Sequence, residues 1–297
     1  MKDKMMFYGV TLGKRYTRRQ KEVFLNEVIK KCQESGIKTD FMTKHTKVTH
    51  ICNLVIGDLK KAKKVVCAAY DTPSIAINPF YQYYPFNPKL NVKEESRNLI
   101  VEVVLGVILM GLCYFMLTYT MAQGMLIKIL GILITGLVIL FCFFYLFKGK
   151  ANNFNFNRNS GAVVLIMQLI ENVKNQDVAY VLLDKTADGY EGLKLLKENV
   201  NDHQLIILLD AISSGEKTVV AHNSIDVSDL LMDDWVDKQF DDTDNTVGYF
   251  KRCIMISRGE IINHRFVVKG TRSRNDYHFD YDGLKNIYEQ LLKYLEG

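Results

Sequence analysis

Two long apolar segments constrain the fold of this chain more than any other feature of its sequence. They cover residues 101–119 and 129–147, and the one ionisable carboxylate within them is Glu102. Each segment is close to the ~20 residues that a helix needs to cross the hydrocarbon core of a bilayer. Only nine residues join them, which leaves room for a short turn. We therefore expect an antiparallel hairpin of two membrane-spanning helices.

The distribution of basic residues around this hairpin predicts its orientation. Lys93, Arg97, Lys148 and Lys150 flank its outer ends, whereas the turn contains Lys128 alone. Because loops that are rich in Lys and Arg stay in the cytoplasm, we expect both soluble parts and both termini there. The first ten residues, MKDKMMFYGV, lack the apolar centre of a secretory signal.

Composition and charge narrow the class of protein further. Hydrophobic residues make up 48% of the 297 residues and charged residues 24%, which excludes a disordered or fibrous chain. Residues 1–97 carry 19 Lys and Arg against 9 Asp and Glu. An anionic membrane surface attracts such a segment, so we expect the lipid bilayer as a partner. The basic residues form no stripe with interleaved aromatics, so we expect no nucleic-acid partner. Six scattered Cys predict no disulfide framework.

The soluble sequence has the alternation of an α/β fold. Residues 17–36 have the apolar spacing of an amphipathic helix, with Thr17 as its N-cap. The runs THICNLVIGDL and KKVVCAAYD have the pattern of two neighbouring strands. After the hairpin the pattern is helix, strand, helix, strand, and an amphipathic helix closes the chain. We expect one α/β domain with a mixed sheet, formed by residues 1–97 and 149–297 and interrupted by the hairpin at 98–148.

Several local features allow two interpretations. For Glu102 we expect a local interaction with Arg97 or Asn98 rather than a proton relay. The aromatic run FYQYYPF at 80–86 is either a belt at the membrane interface or a lid over a site, and we expect the belt. Residues 226–244 carry eight Asp, and we expect an exposed loop or short helix there. His45 and His50 are expected on an exposed surface rather than at a metal.

Five segments together carry a resemblance to a known family. They are NLVIGD, VVCAAYDTPS, NRNSGAVVLIMQL, VAYVLLDKTADGYEGLKLL and LIILLDAISSG, in that order along the chain. This order resembles the M28 family of zinc aminopeptidases over nearly the whole soluble sequence. The resemblance implies a single α/β domain with a mixed central sheet, two zinc ions bridged by a carboxylate, and a Glu as general base.

The same resemblance implies that most of the family's functional residues have been replaced. In the family's H-x-D signature, Ala69 stands at the His ligand and Asp71 at the supporting Asp. In the D-N-x-S-G turn, Asn157 stands at the bridging Asp and Arg158 at the Asn. A methyl group cannot bind zinc, and an amide is a poor substitute for a bridging carboxylate.

The later motifs of the family show the same replacement. In D-x-E-E-x-G-x-x-G, Thr186 and Ala187 stand at the two Glu positions, which are a metal ligand and the general base. Asp210 keeps the Asp ligand of the next strand end. The last His of the family falls on Arg272, and His278 lies close to that position. Arg158 and Arg272 therefore place positive charge where the metals would be.

These residues support a non-catalytic protein that holds no zinc or other cofactor. We expect a membrane-anchored pseudo-peptidase that binds a peptide or protein as a subunit of a membrane complex; the residues at the former site are Ala69, Asp71, Asn157, Arg158, Thr186, Ala187, Asp210 and Arg272. The alternative is an active zinc aminopeptidase with substitute ligands; these would come from Asp71, Asp210, Glu191, His264 and His278. A transporter component would need a polar helix face in the hairpin, which the sequence lacks.

Overall fold

The computed structural model describes residues 1–46, 50–147, 149–187, 189–240 and 250–297. Seven α-helices are described, with two shorter π-helical turns at Met6–Thr11 and Phe156–Ser160 and a third, Phe143–Phe147, after α4. The helices are α1 Lys2–Met5, α2 Arg18–Glu34, α3 Pro88–Met121, α4 Met125–Cys142, α5 Gly161–Asn172, α6 Glu191–Lys197 and α7 Tyr281–Glu296. The strands are β1 Thr39–His45, β2 His50–Ile56, β3 Lys64–Ala69, β4 Val178–Leu183, β5 Leu205–Leu209, β6 Lys217–His222, β7 Val236–Gln239, β8 Cys253–Ile262 and β9 Arg265–Val267.

The described strands form one mixed sheet in the order β1-β2-β4-β3-β5-β8-β6-β7, and β9 pairs with β8. Strands β4, β3, β5 and β8 are mutually parallel, whereas β1, β2 and β6 pair antiparallel with their inner neighbours. The predicted α/β class with a mixed central sheet is confirmed. The predicted adjacency of β2 and β3 is wrong, because β4 lies between them. Two strands that follow each other in sequence are here separated by a strand from beyond the hairpin.

Helices cover both faces of this sheet. One apolar layer packs α2, α5 and α7 against alternate strand residues such as Val66 and Leu182. The other layer packs α6 against the intervening residues, such as Val65 and Val181. This alternation follows from the two-residue period of a strand, and the parallel central strands are apolar on both faces because both are covered.

Helix α2 shows how local sequence sets an element's boundary. The Thr17 side chain accepts a hydrogen bond from the backbone N–H of Gln20, and the Gln20 side chain accepts from the Thr17 N–H. This reciprocal capping box satisfies two N–H groups that a helix start leaves unpaired. The predicted helix and its N-cap are confirmed.

Helices α3 and α4 form the hairpin. Both are long and apolar enough to cross a membrane, counting α4 together with the π-helical turn as far as Leu146. Helix α3 begins ten residues before the predicted start of the hairpin at 98, because Asn87 caps it and Pro88 fits its first turn. Glu102 accepts a hydrogen bond from the Asn98 side chain at 2.7 Å, the local interaction expected for it. Lys148 lies outside the described residues.

The sheet combines strands from both sides of this hairpin. Strand β3 precedes α3 in the sequence, yet its two neighbours, β4 and β5, both follow α4. The soluble parts before and after the hairpin are therefore one folded unit. A two-helix hairpin returns the chain to the end from which it left, so both connections to this unit lie at the same end of the hairpin.

The acidic segment differs from the expected loop or helix. Val236–Gln239 forms strand β7, which pairs in parallel with β6 at one edge of the sheet. Its exposed acidic residues obscure the short strand in the sequence, because an edge strand needs few apolar side chains. The part of the segment at 241–244 lies outside the described residues. His45 and His50 face each other across the β1–β2 pair, with ring centroids 4.1 Å apart.

Candidate functional site

The former site positions meet at the carboxyl ends of the parallel strands. Ala69 ends β3, Asp184 follows β4 and Asp210 follows β5. Parallel strands in register bring such residues to one edge of the sheet, where open α/β sheets bind their ligands. The sequence order alone does not show this proximity, since 141 positions separate Ala69 from Asp210.

A charged cluster occupies the centre of this edge, and we call Tyr83, Arg158 and Asp210 the Arg158 cluster. The Arg158 guanidinium contacts one carboxylate oxygen of Asp210, and the Tyr83 hydroxyl donates to the other. The guanidinium carbon also lies 3.8 Å from the centre of the Tyr83 ring. Only 5% of the Arg158 side chain and 13% of the Asp210 side chain are exposed. Both oxygens of the retained carboxylate thus have protein partners.

Tyr83 enters this cluster as a neutral donor. Its burial raises the pKa of the phenol well above the ordinary value, so the hydroxyl keeps its proton at neutral pH. The predicted interfacial belt at 80–86 is wrong for this residue, because Tyr83 is buried against the strand ends. Phe80 is 82% exposed, so the run divides between a covered and an exposed part.

Asp71 holds the loop that follows β4. Its carboxylate accepts hydrogen bonds from the backbone N–H groups of Thr186 at 3.1 Å and of Ala187 at 3.3 Å. The Ala187 carbonyl in turn accepts from Arg158 at 3.1 Å. The resemblance places the general base and a metal ligand at Thr186 and Ala187. In this chain their backbone N–H groups donate to Asp71, and the Ala187 carbonyl accepts from Arg158.

Asn157 connects three segments of the chain through hydrogen bonds. Its side-chain oxygen accepts from the N–H groups of Ser213 and Ser214 at 3.2 and 3.1 Å. Its own N–H donates to the Asp276 carboxylate at 2.8 Å. Burial of Asp276 raises the pKa of that carboxyl well above its ordinary value. The nearby Gly161 is required by packing, because a Cβ there would lie 1.5 Å from the Ser213 Oγ.

Arg272 connects the loop at 270–275 to helix α3. It pairs with Glu95 of α3 and donates to the Ser74 carbonyl at 2.9 Å, with its guanidinium 4.9 Å from the centre of the Tyr81 ring. Asp210 pairs with Arg158 instead. Arg272 therefore has its acidic partner on α3, and that partner, Glu95, lines the same cavity as Arg158.

The first turns of α3 cover the strand-end edge and leave a small cavity beneath them. Its volume is about 280 Å³. Its walls include Tyr81 and Tyr83, Glu95 of α3, Arg158, and the Ala187 loop. The cavity is small, with aromatic walls and the side chains of Glu95 and Arg158 in its lining.

A zinc ion does not fit these residues. Among the described parts of the chain, no group of three His, Cys, Asp or Glu side chains is placed to hold a metal. Glu191 is exposed and pairs with Lys194, while His264 and His278 are exposed on loops. The substitute ligands of the alternative hypothesis are therefore not brought together with Asp71 and Asp210, whose oxygens accept from protein donors.

Comparison with known proteins supports the fold. No family model matches this sequence, and no curated protein matches it. Solved structures do match. The LapA aminopeptidase of Legionella pneumophila has a TM-score of 0.54 at 9% identity, covering 99% of this chain and 67% of that one.

Two glutaminyl cyclases have similar scores. The Fimbriiglobus ruber enzyme has a TM-score of 0.53 at 12% identity, covering 96% of this chain and 90% of that one. The Macrostomum lignano enzyme has a TM-score of 0.53 at 10% identity, covering 99% and 88%. The chain thus has an M28-like fold, the α/β fold of these aminopeptidase and cyclase structures, and carries in addition two helices that are apolar enough to span a membrane.

Proposed function

We propose that this protein is a membrane-anchored, non-catalytic member of the M28-like fold that binds a peptide or protein partner. The observation that carries the proposal is the Arg158 cluster. The Arg158 guanidinium contacts the Asp210 carboxylate where a metal ion would have to bind. Its fixed positive charge also repels a metal cation at this position.

The chemistry of the fold's hydrolases requires the groups that are replaced here. Metal-assisted hydrolysis uses cations to polarise the substrate carbonyl and to lower the pKa of the attacking water. Ala69 has no donor atom, and Thr186 and Ala187 offer backbone N–H groups to Asp71 rather than carboxylates to a metal. The site therefore lacks both the Lewis acid and the general base.

The membrane placement of the binding domain is part of the proposal. The two helices anchor the soluble unit, and the excess of Lys and Arg at their outer ends supports a cytoplasmic location for that unit and both termini. The cavity beneath α3 is then held close to the membrane surface. A peptide or a side chain of a protein partner would enter it, between the aromatic walls formed by Tyr81 and Tyr83.

Elemental analysis of the full-length protein in detergent tests the loss of the metal site. The protein is equilibrated with a small excess of zinc and then desalted. We expect no stoichiometric zinc in the wild type, and the same result in Asp210→Ala. One or two zinc ions per chain that are lost in Asp210→Ala would instead show that substitute ligands rebuild the site, and the aminopeptidase alternative would replace the proposal.

A second measurement addresses binding. Crosslinking in intact cells, with a photoreactive amino acid at Val92 beside the cavity, is compared with the same group at Val23 on the exposed surface of α2. We expect a discrete crosslinked protein from position 92 alone. Identical products from both positions, or none from either, would contradict a partner at this cavity.

A further inference from the structure

A second and larger cavity lies at the foot of the hairpin. Its volume is about 470 Å³. Three segments wall it: residues 75–79, the chain leaving the second membrane helix with Tyr145 and Lys150, and the loop at 270–275. It is separate from the cavity of the Arg158 cluster, although Tyr81 contributes to both.

The contacts of this cavity place it at the end of the hairpin where the apolar segments of both helices begin and end. Asn98 accepts hydrogen bonds from the backbone N–H groups of Ile77 and Asn78, at 2.8 and 2.9 Å. From the next residue, Leu99, exposed apolar side chains follow one another closely along α3. Tyr145 lies near the end of the second apolar segment, and aromatic residues of this kind are enriched at the level of the headgroups.

The charges that face this cavity are positive. Lys150 and Arg274 are exposed, and among the described residues neither forms an ion pair. Arg272 also lines the cavity but is neutralised by Glu95. No carboxylate is among the described residues that line it, and the side chains of Asn78 and Asn275 add amide donors. The Lys150 ammonium lies 5.7 Å from the centre of the Tyr145 ring, at the side of the cavity next to α4.

We propose that this cavity binds the phosphate-bearing headgroup of an anionic phospholipid. A phosphate is the group that two cations and amide donors recognise together, and a bilayer presents phosphates at this depth. The acyl chains then remain beside the apolar surfaces of α3 and α4, so a lipid needs no rearrangement of the hairpin to reach Lys150 and Arg274. The proposal depends on the two helices lying in a bilayer and does not depend on the loss of zinc.

Native mass spectrometry of the full-length protein in detergent tests the proposal. Phosphatidylglycerol and phosphatidylcholine are titrated in parallel onto the wild type, onto Lys150→Gln/Arg274→Gln, and onto Arg19→Gln/Lys30→Gln. The last variant removes the same two charges from the exposed surface of α2. Thermal unfolding of each variant confirms that it is folded.

We expect phosphatidylglycerol to bind more tightly than phosphatidylcholine, and the cavity variant to weaken it about 10- to 30-fold. The surface variant should bind as the wild type does. Equal binding of the two lipids, or equal effects of the two variants, would overturn the proposal. Displacement of the lipid by glycerol 3-phosphate at a similar concentration would show a site for a soluble phosphate instead.

A flotation experiment with phosphatidylglycerol vesicles, repeated after alkaline carbonate extraction, checks the premise about the bilayer. We expect the wild type and both variants to stay with the vesicles, because the apolar helices hold them there. Release by carbonate would show that the helices do not span, and the lipid site would fall with that premise while the zinc measurement stayed unaffected.

Discussion

The ion pair between Arg158 and Asp210 determines what this carboxylate contributes to the protein. A carboxylate that binds a metal needs a cation from solution, whereas the positively charged partner of Asp210 is Arg158 of the same chain. A buried pair adds little net stability, because desolvation offsets the attraction, but loss of one partner leaves the other charge uncompensated. Asp210 is thus expected to stabilise the folded state by balancing Arg158.

A double-mutant cycle tests this role. Asp210→Asn keeps an acceptor for the Tyr83 hydroxyl but leaves Arg158 unbalanced, and should lower the free energy of unfolding by about 3 kcal/mol. Arg158→Met is the second single variant of the cycle, and Arg158→Met/Asp210→Asn should recover most of the loss seen in Asp210→Asn. The measurement is denaturant unfolding of the full-length protein in detergent micelles.

The control for this cycle is the exposed pair Arg18–Glu22, whose side chains are 83% and 55% exposed. Arg18→Met should change stability by less than about 1 kcal/mol. If Arg158→Met/Asp210→Asn were no more stable than Asp210→Asn, the charge balance would not explain the effect.

Asp276 gives the fold a pH dependence. Burial raises the pKa of this carboxyl in the folded state. At a pH above the ordinary pKa of an Asp, the unfolded chain has released this proton while the folded protein still holds it. Stability contributed by this group is present at low pH and falls as the pH rises toward the folded-state pKa. Asp276→Asn, which cannot ionise, should therefore stabilise the protein more at pH 8 than at pH 4. Unfolding temperatures across this range check the sign, and an equal shift at both pH values would contradict it.

Residue patterns in the sequence identify some of this site and miss the rest for a physical reason. Asp71, Asn157 and Asp210 follow local strand and turn motifs, so their places at the sheet edge are visible in the sequence. Tyr83 reaches Asp210 from 127 positions away, and Glu95 reaches Arg272 from 177. Such contacts depend on how the loop at 80–86 and the first turns of α3 pack, which no local pattern specifies.

At the scale of elements, α3 joins the two parts of the molecule as a single helix. It covers the cavity of the Arg158 cluster with its first turns and enters the apolar hairpin further on, without a break between Pro88 and Met121. The same helix therefore contacts both the candidate site and the apolar hairpin. Glu95 and Asn98 fix its rotation through Arg272 and the backbone of the 75–79 segment.

The packing of α3 against α4 depends on one glycine. A Cβ at Gly131 would lie 2.5 Å from the Thr120 Oγ1, whereas a Cβ at Gly136 would have nothing within 4 Å. Gly131→Ala should lower the thermal stability of the hairpin, because Thr120 must move. Gly136→Ala should leave it unchanged or raise it, since alanine favours helix by about 1 kcal/mol. Equal behaviour of the two variants in detergent would contradict this close contact.

Helices were easier to predict from this sequence than strand order. The periodicity of residues 17–36 and the length of the apolar segments specify α2, α3 and α4 directly. The position of β4 between β2 and β3 depends on tertiary packing. Strands β3 and β4 are apolar on both faces, and their parallel pairing places both where helices cover the two faces of the sheet. The sequence does not indicate strand β7, because its edge position tolerates acidic residues.

At the scale of the whole molecule, the continuous sheet predicts where the termini lie. Tags at the N- and C-termini should show the same accessibility to protease in intact cells, because both belong to one folded unit beside the hairpin. For the cytoplasmic orientation we propose, both should be digested only after the cells are permeabilised. Digestion of one tag alone in intact cells would contradict the single unit, and digestion of both would reverse the orientation.

The interleaving of strands across the hairpin also dictates the order of events during synthesis. When β3 leaves the ribosome, neither of its neighbours exists; β4 follows more than a hundred residues later, after both apolar helices. Strand β3 therefore keeps unpaired edges until the residues after both apolar helices have been made. If the hairpin enters the bilayer as it is made, as the proposed membrane anchoring requires, the sheet is completed on a chain already attached to the membrane, and this domain should mature at the bilayer.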